Sequence, residues 1–229
     1  MHILLTGATG HIGHAILQTL LSHPSTTHIT TLTRRPFTPP TPTPKHTNIV
    51  LTTFSTWPEE VLSQIKDADA MIWAMGASNA DEAVNYEYPV AFQDSFLAAL
   101  NNNNNTSKKD NKRFRFLYLS GALAESAQDT SLYFLAAARK VKGRTETFSL
   151  EFAERNSRFW RTWVLKPGGV YKEGSWGEYA SWGLPKKLGS VGCEELAAFA
   201  VDVAVKGGEE EGRVLNERIV GRGREVLGR

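Results

Sequence analysis

The chain has 229 residues, 41% of them hydrophobic and 22% charged, a length and balance that suit a globular chain able to bury a substantial core. Its formal net charge of +2 gives no electrostatic case for a nucleic-acid or membrane surface. The single cysteine, Cys193, excludes an internal disulfide, and no apolar run approaches the roughly 20 residues that a membrane span needs. The first apolar run begins by Ile3, so no leader peptide is expected. A cytoplasmic protein that binds neither nucleic acid nor membrane is the expectation.

"HILLTG" is an apolar run ending in glycine. "GHIGHAILQTLLSH" follows with Ile12, Ile16, Leu17 and Leu20 at helical spacing, so the chain opens with strand, tight turn and helix. "HITTLTRR" is rich in β-branched residues and predicts a second strand. Five prolines in "PFTPPTPTPKHT" exclude helix and central strand and leave an extended surface loop. "NIVLTTF" predicts a third strand, and "PEEVLSQI" a short helix with proline at its start and acids in its first turn. "DAMIWAMGAS" barely alternates, as a fourth strand buried on both faces would. "YPVAFQDSFLAAL" is helical, and "NNNNNTSKKDNK" is a polar, solvated loop. "RFRFLYLSGA" gives a fifth strand, followed by a helix from about Leu132 to Glu154 and a sixth strand in "RTWVLKPGGVY" that ends at Pro167. Beyond an irregular stretch, "CEELAAFAVDVAVKGG" makes a helix closed by Gly207 and Gly208, and "RVLNERIV" reads as a last strand. Strands alternating with helices imply parallel βαβ units. The expected fold is α/β: a Rossmann-type doubly wound parallel sheet in a single domain. Its core would span 1–171, with a small substrate cap and closing helix and strand over 172–229.

"TGATGHIG" places Gly7, Gly10 and Gly13 at three-residue spacing between the first strand and its helix. The first glycine allows the tight turn, the second lets backbone amides approach a pyrophosphate, and the third lets helix and strand pack closely. The helix amino end then meets the negative charge with unpaired N–H groups and a favourable dipole. Thr9, His11 and Ile12 complete the expected contact set. The strand before and the amphipathic helix after supply the context that such a motif requires; the competing explanation is a turn that merely needs glycine. An NAD site places Asp or Glu about 20 residues further on, to accept from the ribose 2′-hydroxyl. Here "LTRRP" offers no carboxylate, and Arg34 and Arg35 stand where a 2′-phosphate would lie. Guanidinium groups bind phosphate bidentately, so NADP(H) is favoured over NAD(H); the alternative is two solvated charges beside a proline loop. Met75 and Gly76, ending the fourth strand, belong under the adenosine ribose if strand termini line the crevice, or to ordinary core.

With these pieces in place the chain resembles the short-chain dehydrogenase/reductase superfamily, and most of all its atypical branch of NmrA-like and nucleoside-diphosphate-sugar-epimerase-like NAD(P)-binding proteins. The matching segments are "TGATGHIG", "DAMIWAMGAS", "LYLSGA", the lysine of "RKVKG" and "VLKPGGVY", with "GCEELAAFAVDVAVKG" resembling the helix that often follows. The resemblance implies that Ser120 hydrogen-bonds a substrate carbonyl and that Lys142 holds the nicotinamide ribose. It also implies a tyrosine four residues before that lysine, on the same helix face, donating a proton with a general-acid effect of about 10²–10⁴-fold. That position is Ala138. Shifting the register so that Lys140 becomes the ribose lysine puts Ala136 four residues earlier. Tyr133 precedes Lys142 by nine residues, about 900° around a helix and hence on the opposite face; it reads as packing or a substrate-side wall, and Arg139 and Lys140 as solvated charge. "KPGGVY" resembles the segment that lies against the nicotinamide carboxamide, which implicates Pro167, Gly168, Gly169 and Val170; its plain reading is a strand-ending turn. Tyr171 is within reach of the same region.

Residues 172–188 would form the substrate cap, with Trp176, Tyr179 and Trp182 either closing over a ligand or filling space under a loop. Cys193 reads as a buried small residue. The six histidines show no metal-ligand spacing, so no metal is expected, and His11 and His14 flank the cofactor turn as helix surface. Three functions follow as alternatives. The first is an NADP(H)-binding enzyme acting on a small organic substrate without the usual tyrosine. The second is a non-catalytic NADP(H) sensor of NmrA-like type, working through a regulatory partner protein or as a homodimer. The third is a redox-silent isomerase or lyase that uses the same pocket.

Overall fold

The computed structural model describes residues 1–39, 42–77, 79–102, 112–172, 174, 189–208 and 212–229. Its strands, in chain order, are β1 (His2–Thr6), β2 (His28–Thr33), β3 (His46–Val50), β4 (Ala70–Trp73), β5 (Phe114–Leu119), β6 (Trp160–Lys166), β7 (Gly169–Tyr171), β8 (Ser190–Gly192) and β9 (Gly212–Leu215). Seven of them make one sheet in the order β3-β2-β1-β4-β5-β6-β9, with every neighbouring pair parallel. β7 and β8 form a separate parallel pair. Strands covered on both faces must be apolar nearly throughout, and β1 and β4 are buried at every residue.

Alternate residues of each central strand feed two cores. Ile3, Leu5, Ile72, Leu117 and Leu165 face α1 (His11–Ser22) and the helix Cys193–Lys206, here α5. Leu4, Met71, Phe116 and Val164 face the other way, toward α2 (Glu59–Ile65), α3 (Tyr88–Asn102) and α4 (Ala136–Arg155). The second core is aromatic: Phe92 of α3 sits 5.0 Å from Trp57, 5.2 Å from Phe96 and 5.9 Å from Phe116, ring centre to ring centre. The architecture is the doubly wound Rossmann sheet. Because β2 lies on one side of β1 and β4 on the other, the winding reverses between β1 and β4 and opens a crevice at their carboxyl ends.

Several elements differ from expectation. The third strand stops at Val50, and α4 begins at Ala136 after Leu135, which sits in the left-handed region at φ 49°; Tyr133 is therefore outside the helix. "RVLNERIV" is strand only to Leu215, and a sixth helix, α6 (Asn216–Leu227), follows. Its two internal glycines lower helix propensity. At Gly223 the reason is packing, since a Cβ there would lie 2.3 Å from the Glu195 carbonyl oxygen of α5. A single π-helical turn, Ala83–Glu87, precedes α3. Trp176, Tyr179, Trp182 and most of the polar loop before β5 lie outside the described residues. Among the described residues no helix is long and apolar enough to cross a membrane.

At the amino ends of the strands, His2 of β1 stands opposite His28 of β2, and His46 of β3 stands opposite Ile29, the next residue of β2. The His2 ring lies 4.6 Å from that of His28, with Nδ1 3.1 Å from Asp67 Oδ1 and Nε2 2.8 Å from Thr30 Oγ1. Burial pulls the His2 pKa below its ordinary 6.5 and outweighs the attraction of Asp67 and Asp69, while His28 adds repulsion; burial does the same to His46. The unfolded chain therefore takes up protons that the fold resists. Stability should be unaffected by these groups above pH 6.5 and should fall as pH drops below it. Melting temperatures across that interval should decline less steeply in His2→Asn than in the parent, and an identical slope would contradict the assignment.

Candidate functional site

The turn after β1 is fixed by contacts that exclude side chains. Gly7 has φ +73°, and a Cβ on it would lie 2.5 Å from the Ala74 carbonyl oxygen beyond β4; a Cβ on Gly13 would lie 2.0 Å from the Gly7 carbonyl oxygen. Those two glycines are demanded by strand, turn and helix packing together. Gly10 differs. Its nearest neighbour would be the Gly7 oxygen at 3.4 Å, so the protein alone leaves room there for a methyl group. What Gly10 keeps open is the crevice itself. It is also the N-cap of α1, which has no side-chain cap and no acid in its first turn, so the first amides of that helix have no partner within the helix.

One cleft of about 750 Å³ beside this turn brings together Gly7, Thr9, Gly10, Arg34, Arg35, Met75 and Gly76, with Leu32, Phe54 and Ala74 supplying apolar wall. Arg34 and Arg35 are exposed at the end of β2. Neither guanidinium makes a hydrogen bond or ion pair among the described residues. His11 and His14 are exposed on α1, facing a different groove, and the Ile12 side chain packs against the core.

Lys142 of α4 approaches Gly76, one residue of the cleft lining: its Nζ lies 3.7 Å from where a Cβ on Gly76 would be, and Asn85 Oδ1 lies 3.6 Å from the same point. The ammonium makes no hydrogen bond or ion pair among the described residues. Burial lowers its pKa, with Glu146 one turn further along pulling the other way. Its donors are therefore unclaimed among the described residues. Asn85, which sequence reasoning missed, is 1% exposed in the π-helical turn. Its Oδ1 accepts the Ala77 N–H at 3.0 Å, and its carbonyl accepts Thr145 Oγ1 at 2.6 Å and the Tyr118 hydroxyl at 3.3 Å. It pins the segment after β4 to α4, and such bulges recur at functional sites.

Ser120, at the end of β5, is 7% exposed and belongs to a second cluster. Its Oγ donates to Glu146 Oε1 at 2.6 Å; Lys166 Nζ reaches the same oxygen at 2.7 Å, and Arg213 Nε reaches Oε2 at 3.1 Å. Glu146 is completely buried, and breaking such a paired charge by removing one partner costs about 3–5 kcal/mol. Glu146 carries no motif, and a helix-face pairing with Lys142 at i+4 was the single sequence signal available.

The remaining expected residues fall as follows. Ala138 stands one turn before Lys142. Tyr133 is fully exposed, which overturns packing against the described residues; the helical-face argument fails because the helix starts after it. Arg139 and Lys140 are more than solvated charge, since Arg139 Nε donates to the Leu123 carbonyl at 2.7 Å and Lys140 Nζ to the Gln128 carbonyl at 2.6 Å, securing the segment after β5. Pro167, Gly168, Gly169 and Val170 follow β6 beside the Ser120 strand, apart from the cleft lining. The Pro167 carbonyl accepts the Ala122 N–H, Gly168 N–H donates to Asn216 Oδ1, and Val170 pairs with Val191. Cys193 is buried, and burial together with Glu194 pushes its thiol pKa up. No group of three or more potential metal ligands occurs among the described residues.

The profile of the NAD(P)H-binding family matches residues 7–205. No curated protein matches the chain. Among solved structures, a short-chain dehydrogenase from Burkholderia cenocepacia in complex with NADP is 17% identical with a TM-score of 0.67, covering 99% of this chain and 92% of its own. A short-chain dehydrogenase/reductase from Saccharomyces cerevisiae is 17% identical with a TM-score of 0.63, covering 93% and 94%. The dTDP-glucose 4,6-dehydratase of Bacillus anthracis in complex with NAD is 13% identical with a TM-score of 0.64, covering 100% and 82%. At those identities the likeness is one of fold, whereas the profile spans most of the sequence. The chain belongs to the NAD(P)H-binding family, built on the Rossmann sheet of the short-chain dehydrogenases/reductases.

Proposed function

We propose that the protein is an NADP(H)-dependent oxidoreductase of the atypical short-chain type, acting on a small organic substrate. The observation that carries this reading is the pair of unpartnered guanidiniums, Arg34 and Arg35, in the same cleft as Gly10 and the uncapped end of α1. The residues fit a dinucleotide. Gly10 leaves room in the cleft that an approaching ligand would use, and Lys142 is a half-buried cation that no described residue satisfies. The α1 amides would hold the pyrophosphate, Arg34 and Arg35 the 2′-phosphate, and Lys142 the second ribose. When bound, the dinucleotide supplies or accepts a hydride. Ser120, at the end of the neighbouring strand, would contact the substrate. Ala138 offers no proton where the family resemblance implies a phenol, so the proton comes from the substrate, from water or from another group. The single cysteine, held as a thiol, supports a reducing, cytoplasmic setting.

A second reading is a non-catalytic NADP(H) sensor that works through a protein partner. Its support is specific: besides Ala138, Tyr118 keeps its hydroxyl on the Asn85 carbonyl, and full burial pushes its pKa up. A screen of carbonyl and alcohol compounds followed at the NADPH absorbance separates the two; turnover by the parent protein favours the enzyme, and turnover created only by Ala138→Tyr favours the sensor.

Two outcomes test the cofactor assignment. Arg34→Ala should weaken NADPH binding by about 10- to 100-fold, the worth of one or two charge-assisted hydrogen bonds, and leave NADH binding unchanged; equal NADPH and NADH affinities in the parent would remove the argument. Gly10→Ala should keep its melting temperature yet lose at least roughly tenfold in dinucleotide affinity. Gly13→Ala should lose about 1–3 kcal/mol or more of stability through overpacking. A Gly10→Ala protein that binds dinucleotide normally would contradict the assignment.

A further inference from the structure

A second groove, of about 690 Å³, meets the cleft of Arg34 and Arg35 at Thr9 and Gly10 and shares no other described lining residue with it. That volume falls in the range of small-molecule sites. One wall is α1. His11, His14, Gln18 and Ser22 recur at steps of three and four residues and so share a helix face, with Ala15 and Thr19 between them. An exposed helix face ordinarily carries charge, yet α1 has no Asp, Glu, Lys or Arg. The start of α5 and the end of α6 add Cys193 and Leu227 to the lining.

Cys193 is 8% exposed, and its thiol makes no hydrogen bond among the described residues. A buried polar atom ordinarily finds a partner; this one lies in the groove wall, where a ligand would cover it. Leu227 is exposed at the same groove. The remaining lining is rich in donors: each imidazole offers at least one N–H, Gln18 two and the Lys172 ammonium three. Lys172 already has an interaction of its own, and three donors serve more than one acceptor. The one carboxylate among the described lining residues, Glu194, is matched by Arg229 at 3.1 Å. A cationic ligand would find no open partner there, whereas a carboxylate finds several.

We propose that this groove is a second small-molecule site and that it takes an apolar carboxylate. The hydrocarbon body lies against Ala15, Cys193 and Leu227, and the carboxylate accepts from His11, His14 and Lys172. The site goes beyond the proposed function and does not depend on it, since Thr9 and Gly10 alone are common to the two linings among the described residues.

The test uses the full chain with NADPH in excess and two probes matched in shape, 2-naphthoate and the neutral 2-naphthamide. Naphthoate should bind with a Kd of about 1 mM or tighter, the affinity expected of a fragment of its size. It should bind about 2- to 5-fold more tightly than the amide, the worth of one exposed ion pair, and Lys172→Met should narrow that preference to near parity. Because the chain has one cysteine, its reaction with methyl methanethiosulfonate, followed by mass spectrometry, reports on this groove alone. Naphthoate near saturation should slow that reaction by about fivefold or more. Naphthoate that does not bind, or that binds and leaves the Cys193 rate unchanged, overturns the proposal. So does a parent preference for the amide, or a naphthoate preference untouched by Lys172→Met. The same measurements without NADPH keep the two claims apart: a protein that fails to bind dinucleotide strikes the proposed function, and protection of Cys193 by naphthoate still decides this inference.

Discussion

The turn after β1 is held by backbone packed against backbone. The Gly7 carbonyl stands where a side chain of Gly13 would be, and the Ala74 carbonyl stands where a side chain of Gly7 would be. This stack of β1, turn, α1 and the end of β4 sets how near the amino end of α1 comes to the crevice. The electrostatics follow from that approach, since a helix dipole and its free amides act only over the first turn. Any side chain at either position would push α1 away from β4 and withdraw the amides from a ligand. Gly10 is the exposed member of the trio, and the room for a methyl group beside it sets it apart from the two glycines that packing demands.

Around this fixed point the chain distributes its cations in two ways. Arg34, Arg35 and Lys142 have no partners among the described residues; the two arginines line the cleft, and the Lys142 ammonium lies beside Gly76 at its edge. Lys166 and Arg213, a few strands across, are spent on Glu146. A lone half-buried ammonium is costly to maintain, which makes Lys142 informative in a way that an exposed lysine would not be. Asn85 links these regions: a single buried side chain ties the segment after β4 to the π-helical turn, and its carbonyl is gripped by Thr145 on the helix that carries both Lys142 and Glu146.

Much of the site was legible in sequence because its signals are local. The glycine spacing, the apolar strand before it and the absence of a carboxylate near Arg34 all lie within a few dozen residues, and the βα alternation carried the sheet. What escaped reading depended on distance or on packing. Glu146 gains meaning only from Ser120, Lys166 and Arg213, and Asn85 only from Ala77, Tyr118 and Thr145; neither set has a spacing that a pattern can hold. The helix at 216–227 was hidden by its own two glycines, which weaken propensity, although Gly223 is what lets it lie against α5. The start of α4 was misplaced because "LYFL" has helical composition, while Leu135 takes a left-handed conformation that no propensity scale anticipates at leucine.

The central claim is that the amino end of α1 and the arginines after β2 hold a phosphorylated dinucleotide between them. A crystal structure of the protein grown with NADP⁺ tests it directly. The account predicts the pyrophosphate against the amides that follow Gly10, with the 2′-phosphate between Arg34 and Arg35. A dinucleotide bound elsewhere, or a 2′-phosphate pointing into solvent away from both guanidiniums, would contradict it.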